Sequence, residues 1–261
     1  RGRRTFFRLY PEEYGPRLFE LLGWEGGKGV HRFEHTAMTA GAPVLSVRDL
    51  HFPALPPMTF DIRRGEIAFL RDENYNTGRR LHECFLGDRG WTSGFFRLNG
   101  RLYQPGDLGR VIGSEIGIQI ERPDRPGGVL FDNMTALDNL CTSLIPKAGQ
   151  HIIRKKIVSS ILSEALRWFP KEMLLQPLSS WPYPERLRFS YYRWYLLNPR
   201  LLICFFPFAG QESTHHKMII DLLVLCAQRG MAVWIISSGI DAICEKTDNE
   251  EFLRRLHYLN K

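Results

Sequence analysis

The apolar and polar positions change period partway along the chain. Val44-Leu45-Ser46-Val47-Arg48 alternates with period two, as does Met58-Thr59-Phe60-Asp61-Ile62 ahead of an Arg-Gly turn, and each stretch predicts a half-buried strand. Residues 67–70 form a short apolar run that predicts a buried strand. Residues 95–103 carry Asn99-Gly100 at their centre and predict a hairpin, because Asn-Gly supplies the positive φ angles of a type I′ turn. The spacing then becomes helical. Thr135 with Asp138 three residues on predicts a helix start, followed by Leu137, Leu140, Cys141 and Leu144 on one face. Ile153, Ile157, Ile161 and Trp168 mark a second amphipathic helix that ends before Pro170. Residues 201–206 predict a buried strand, 214–228 a helix stopped by Gly230, and 231–237 another buried strand. Strand, helix, strand in that rhythm implies a right-handed βαβ unit in a parallel sheet.

Residues 1–42 have a different texture, with seven glycines up to Gly41, and predict a linker or the remnant of a preceding domain. Residues 43–261 read as one α/β unit with a helical part at about 133–197. The chain has 261 residues, 44% of them hydrophobic and 24% charged, which excludes global disorder and allows a substantial core. No apolar run approaches the roughly eighteen residues of a membrane span. Five cysteines, an odd number without a C-x-x-C pair, fit a reducing compartment and speak against a zinc site or a disulfide framework. A formal net charge of +7 invites an anionic partner, but the basic residues fall in scattered groups such as Arg79/Arg80 and read as solvated faces; a nucleic-acid partner stays as an alternative. The chain opens on Arg1 with neither Met nor a signal-type apolar region, which predicts a piece of something longer.

Antiparallel strands, a helical middle and a βαβ unit, in that order, resemble the nucleotide-binding cassette of ABC transporters, most closely the second cassette of ribose/galactose-type sugar importer ATPase subunits. The strings that carry the resemblance are Pro43-Val44-Leu45-Ser46-Val47-Arg48-Asp49-Leu50, then Phe60-Asp61-Ile62-Arg63-Arg64-Gly65-Glu66-Ile67, then Thr92-Ser93-Gly94. They continue with Pro123-Asp124-Arg125 and Gly128-Val129-Leu130, Arg193-Trp194, Asn198-Pro199-Arg200-Leu201-Leu202-Ile203, and Arg229-Gly230-Met231-Ala232-Val233 with Ile236-Ser237-Ser238. The resemblance implies an α/β ABC-ATPase-like cassette, with a P-loop NTPase-type parallel sheet, an antiparallel β subdomain and a helical subdomain.

The motifs that do chemistry in that family depart from its pattern. A phosphate cradle uses glycines so that backbone N–H groups close around the anion, with a cation and a Mg²⁺-binding hydroxyl nearby. At that place stand Asp72, Glu73, Thr77, Gly78, Arg79 and Arg80, with a single glycine and two acids. Phe205 and Phe206 occupy the positions of the family's metal-binding and water-orienting acids, and phenylalanine does neither job. The family's Leu-Ser-Gly-Gly signature becomes Leu178 followed by Ser179, Ser180 and Trp181, where the larger side chains are expected to obstruct the approach to a partner's phosphate. Gly239 replaces the His or Glu expected after the last strand. His215-His216, with Glu212 before them, lack a further ligand at metal spacing and read as a solvated helix start. Cys204 reads as core.

The resulting expectation is a pseudo-ATPase: no enzyme, no catalytic residue, no bound metal, no ATP or Mg²⁺ cofactor, and a structural or regulatory role in a sugar-uptake or sugar-sensing assembly. The alternatives are a composite ATPase half-site of a sugar importer working with an intact partner cassette, and a regulatory module binding a ligand or nucleic acid through Arg79, Arg80, Arg122 and Arg125. Expected partners are an intact cassette, a membrane subunit or a second copy. The expected place is the cytoplasm, at the membrane only through partners.

Overall fold

A computed structural model describes residues 41–121, 130–148, 155–210 and 212–259. Residues 1–40 of the stretch 1–42 read as a linker, the string from Pro123 to Val129, Arg122 and Ile153 all lie outside the described residues.

The predicted strands β1 (Leu45–His51) and β2 (Met58–Ile62) form, and pair antiparallel. β4 (Ser93–Leu98) and β5 (Arg101–Tyr103) make the predicted hairpin, with Asn99 at φ 48° and Gly100 at φ 78° supplying the turn. These four strands form one sheet in the order β2-β1-β4-β5. The second sheet has the order β6-β7-β8-β3-β9, from β3 (Ile67–Arg71), β6 (Ile116–Ile120), β7 (Leu201–Phe205), β8 (Ala232–Ser237) and β9 (Leu256–Tyr258). All of its pairings are parallel. Between β7 and β8 runs the predicted crossover helix, Ser213–Gln228.

The parallel strands read as unbroken apolar runs because both faces are covered. On β3, β7 and β8, residues Phe69, Cys204 and Ile235 turn to a core shared with the crossover helix, and Leu70, Phe205 and Ile236 turn to a core shared with the antiparallel sheet. Phe60 meets Trp234 edge to face across the two sheets, with ring centroids 5.0 Å apart.

Nine helices are described, numbered here in chain order: α1 (Asn76–Leu86), α2 (Pro105–Leu108), α3 (Ala136–Ala148), α4 (Lys155–Ala165), α5 (Lys171–Leu174), α6 (Tyr183–Leu197), α7 (Ser213–Gln228), α8 (Ile240–Cys244) and α9 (Glu250–Arg255). Thr135 starts α3 as expected: its hydroxyl oxygen accepts from the Asp138 N–H at 3.1 Å. The helices α3–α6 have a core of their own, built around Phe169, Trp181, Phe189 and Tyr192. α4 ends at Ala165, four residues before Phe169, where the sequence pattern ran on.

Cys84, Cys204, Cys226 and Cys244 are buried, as expected of core positions, while Cys141 is half-buried. Burial pushes the thiols of Cys84, Cys226 and Cys244 up to about 12, and that of Cys204 well above its ordinary value. Since the thiolate is the reactive form, iodoacetamide at pH 8 should label Cys141 first in the folded chain and the other four only after denaturation. Mass spectrometry of timed aliquots checks this, and rapid native labelling of Cys204 would contradict the packing described here.

Candidate functional site

The C-terminal ends of the parallel strands gather residues 72–80, Phe205, Phe206 and Gly239, at the edge where open α/β sheets generally place their sites. β3 ends at Arg71, and Asp72 follows with its N–H donating to the Ser237 carbonyl of β8 at 3.0 Å. The chain then turns through Tyr75, at φ 57°, into α1. That turn aims the first amides of α1 back at Asp72: Thr77 N–H donates to Oδ1 at 3.2 Å and Gly78 N–H to Oδ2 at 2.7 Å. The Asp72 side chain is buried, and a carboxylate on helix N-terminal amides is favourable both as a charge-assisted hydrogen bond and against the helix dipole.

The acid expected at the phosphate position thus occupies the amides at the start of α1. Two backbone N–H groups make this cradle, and Tyr75 adopts the left-handed conformation that shapes it without being glycine. The anion in the cradle belongs to the protein itself.

The paired phenylalanines part company. Phe205 closes β7 in register with Ile120 and Ile236, and its ring lies in the core, 5.5 Å from the His82 ring. Phe206 leaves the strand at φ 54°, is half-buried, and packs on Tyr75 with ring centroids 4.6 Å apart. The backbone reversal at Phe206 explains why the strand is one residue shorter than its apolar run. The remaining loop residues point elsewhere. Glu73 is exposed and pairs with Arg71 at 3.8 Å. Arg79 and Arg80 pair with Glu83 at 3.6 and 3.2 Å, and Arg89 joins the same carboxylate at 3.4 Å, leaving that flank of α1 with more positive than negative charge. Arg71 also bridges to Asp241 in α8, the short helix that Gly239 opens at φ 65°.

Ser179, Ser180 and Trp181 lie in the helical part. Ser180 is exposed and its hydroxyl donates to the Pro177 carbonyl at 2.7 Å. Trp181 is buried between Phe169 and Phe189, and its indole N–H donates to the Met173 carbonyl at 3.0 Å. It therefore does not obstruct an approach from outside, because it is the core anchor that fixes the start of α6. His215 and His216 pack against the rings of Tyr183 and Phe208, and no group of three or more metal-ligating side chains occurs among the described residues.

The sequence reading missed a buried polar network beside Phe205. Gln119 of β6 donates to Glu121 at 2.7 Å and to the Ser190 hydroxyl at 3.1 Å, and it accepts from the Trp194 indole at 2.8 Å. The Glu121 N–H donates to the Phe205 carbonyl at 3.2 Å. A glutamine inside an apolar strand and an acid at its end were the available signals. Next to this network the guanidinium of Arg193 lies 4.5 Å over the Trp194 ring, and burial pulls its pKa down to about 10.

For Mg²⁺ the residues do not fit, since Phe205 and Phe206 offer no ligand oxygen. For a phosphate group the amides of Thr77 and Gly78 fit in chemistry, and the Asp72 carboxylate already uses them.

No protein-family model matches the chain. Among curated proteins it is 26% identical over 223 residues to a protein of Pseudomonas syringae pv. tomato provisionally named a ribose/galactose/methyl galactoside import ATP-binding protein, covering 83% of this chain and 42% of that one. It is 24% identical to the fructose import ATP-binding protein FruK of Bifidobacterium longum, covering 91% of this chain and 48% of that one. The chain thus spans less than half the length of these relatives. Among solved structures, cbiO1 from Clostridium perfringens, part of the ABC transporter complex cbiONQ, matches with a TM-score of 0.61 at 20% identity over 76% of this chain and 80% of that one. A bacterial ABC transporter cassette in a post-hydrolysis state, dimeric and bound to ADP and Pi, matches with a TM-score of 0.59 at 17% identity over 83% of this chain and 94% of that one. The chain has the ABC ATPase cassette fold, with a parallel sheet, an antiparallel sheet and a helical part, and is related to the ATP-binding proteins of ribose/galactose import. The expectations of no enzyme and no ATP cofactor are overturned by the curated relatives, which are ATP-binding by name.

Proposed function

We propose that this cassette is one half of a composite ATPase in a sugar importer, binding nucleotide and working with an intact partner cassette at the cytoplasmic face of a membrane subunit. The observation that carries this reading is the pair of coverages with the Pseudomonas relative: most of this chain matches well under half of an import ATP-binding protein, which leaves room there for a second unit of equal size. The resemblance to the second cassette of such proteins supports the same division of labour. Among the described residues no helix is long and apolar enough to cross a membrane, so contact with a transport path falls to a partner.

In this division the groups that Phe205 and Phe206 lack come from the partner. This chain contributes the amide cradle at the start of α1, the cationic flank of Arg79, Arg80 and Arg89, and the exposed Ser179 and Ser180 ahead of α6. The amides and the arginines are hydrogen-bond donors and positive charge, the means by which proteins hold phosphate groups, and the two serines leave the start of α6 open to approach.

The test is phosphate release in Mg²⁺-ATP by this chain alone, by a sugar-import cassette with a complete phosphate loop and both acids, and by the two mixed. Release by the mixture several-fold above the sum of the parts, lost in Ser179→Trp with Ser180→Trp, is the expected outcome. Strict additivity at micromolar concentrations of both proteins would remove the composite reading.

A further inference from the structure

We infer that the Asp72 carboxylate is a built-in substitute for phosphate, an internal plug that a nucleotide must displace before its own phosphate reaches the α1 amides. This rests on the nucleotide-binding reading above. Two oxygens of one buried anionic group sit on two successive amides at the start of an eleven-residue helix, at 3.2 and 2.7 Å. An N–H has one proton to donate, so a phosphate and this carboxylate exclude each other. The exclusion follows from hydrogen-bond stoichiometry and holds whatever the rest of the nucleotide contacts.

The plug is roofed. Tyr75 and Phe206 pack at a tilt beside the turn, and the Phe206 Cζ stands 2.6 Å from the place a Cβ on Gly78 would take, so the ring lies against the residue whose amide makes the shorter bond to Asp72. Both ring-bearing residues hold a positive φ, at 57° and 54°. Side chains rarely adopt that conformation, so both residues depend on the surrounding packing to hold them in it. Tyr75 is also 48% exposed, which leaves its ring free to swing outward without unpacking the core.

The closed arrangement therefore lowers the apparent affinity for phosphate by the fraction of chains that are open. A diphosphate or triphosphate, with more charge and more acceptor oxygens than one carboxylate, is the class of ligand able to compete. Opening also exposes the turn, which makes the loop the natural point at which a docked partner cassette would change nucleotide affinity.

The experiment is isothermal titration of the full 261-residue chain with ADP and with inorganic pyrophosphate, for the parent, Asp72→Asn, Asp72→Ala and Phe206→Ala. Amide hydrogen exchange over residues 73–80 is measured in parallel. Asp72→Asn keeps an acceptor oxygen but drops the charge, and Phe206→Ala removes the roof while leaving the plug. Expected are gains in affinity of tenfold or more for Asp72→Asn and several-fold for Phe206→Ala, with faster ligand-free exchange in Asp72→Ala that ADP restores. A folded Asp72→Asn and Phe206→Ala that bind with the parent's affinity or more weakly overturn the plug and leave nucleotide binding intact. No binding of ADP or pyrophosphate by any of the four at millimolar concentration overturns both the plug and the reading it rests on. If the Asp72 variants fail to fold, Phe206→Ala decides the matter alone by the same criteria.

Discussion

Phe205→Asp should unfold the domain at a much lower urea concentration than the parent, whereas Phe206→Glu, one residue on, should shift the midpoint little. Phe205 is 1% exposed and lies between Ile120 and Ile236 in the layer joining the two sheets. Removing such a ring costs about 3–5 kcal/mol through lost burial and the cavity left behind. Placing a carboxyl there without a partner adds roughly 1–3 kcal/mol more, since the group must stay neutral or draw in water. Against a total stability of about 5–15 kcal/mol, this change is close to unfolding. Phe206 is half-buried and its ring touches Tyr75, so Glu there loses that contact and should cost about 1 kcal/mol. The midpoint and slope of urea curves for both single variants separate the two positions. Equal shifts would mean that the layer around Phe205 is open to water.

That contrast marks how far the sequence could be read. The strands and the crossover helix were legible because their apolar periods follow from burial on one face or two, and the Asn99-Gly100 hairpin because its turn geometry requires those residue types. α1 and β6 were not singled out: the first half of α1 is polar, with Leu81, Cys84 and Phe85 grouped late, and β6 is interrupted by Gly117 and Gln119. The site residues were legible as positions but not as contacts. Nothing in the pattern distinguishes Phe205 inside from Phe206 at the rim, because the left-handed turn that separates them is fixed by tertiary packing. Likewise, Trp181 looked like a surface aromatic in a loop until Phe169 and Phe189 closed on it. The expectation of a chain without ATP is overturned by relatives that are ATP-binding by name, and nothing in the pattern of the chain's own residues carried that information.

Gly78→Ala should destabilise the parent yet stabilise, or leave unchanged, a chain already carrying Phe206→Ala. Within a helix Ala is favoured over Gly by about 0.8–1.0 kcal/mol, so the substitution gains unless space forbids it. At Gly78 it does: the added Cβ would meet Phe206 Cζ at 2.6 Å, Asp72 Oδ2 at 3.1 Å and Ile236 Cγ2 at 3.2 Å. Overlap with well-packed neighbours costs about 1–3 kcal/mol, which offsets the propensity gain and leaves a net loss of up to about 2 kcal/mol. Truncating Phe206 removes the worst of the three contacts, and the helix preference then decides the sign. The four chains form a double-mutant cycle whose coupling should exceed about 1 kcal/mol and favour the double variant, read from thermal or urea midpoints. The same cycle measured with saturating ADP should show a smaller coupling, because a phosphate on the Gly78 amide requires the Phe206 ring to have moved already. Additive effects without ligand would place the ring elsewhere in solution and remove the roof from the turn.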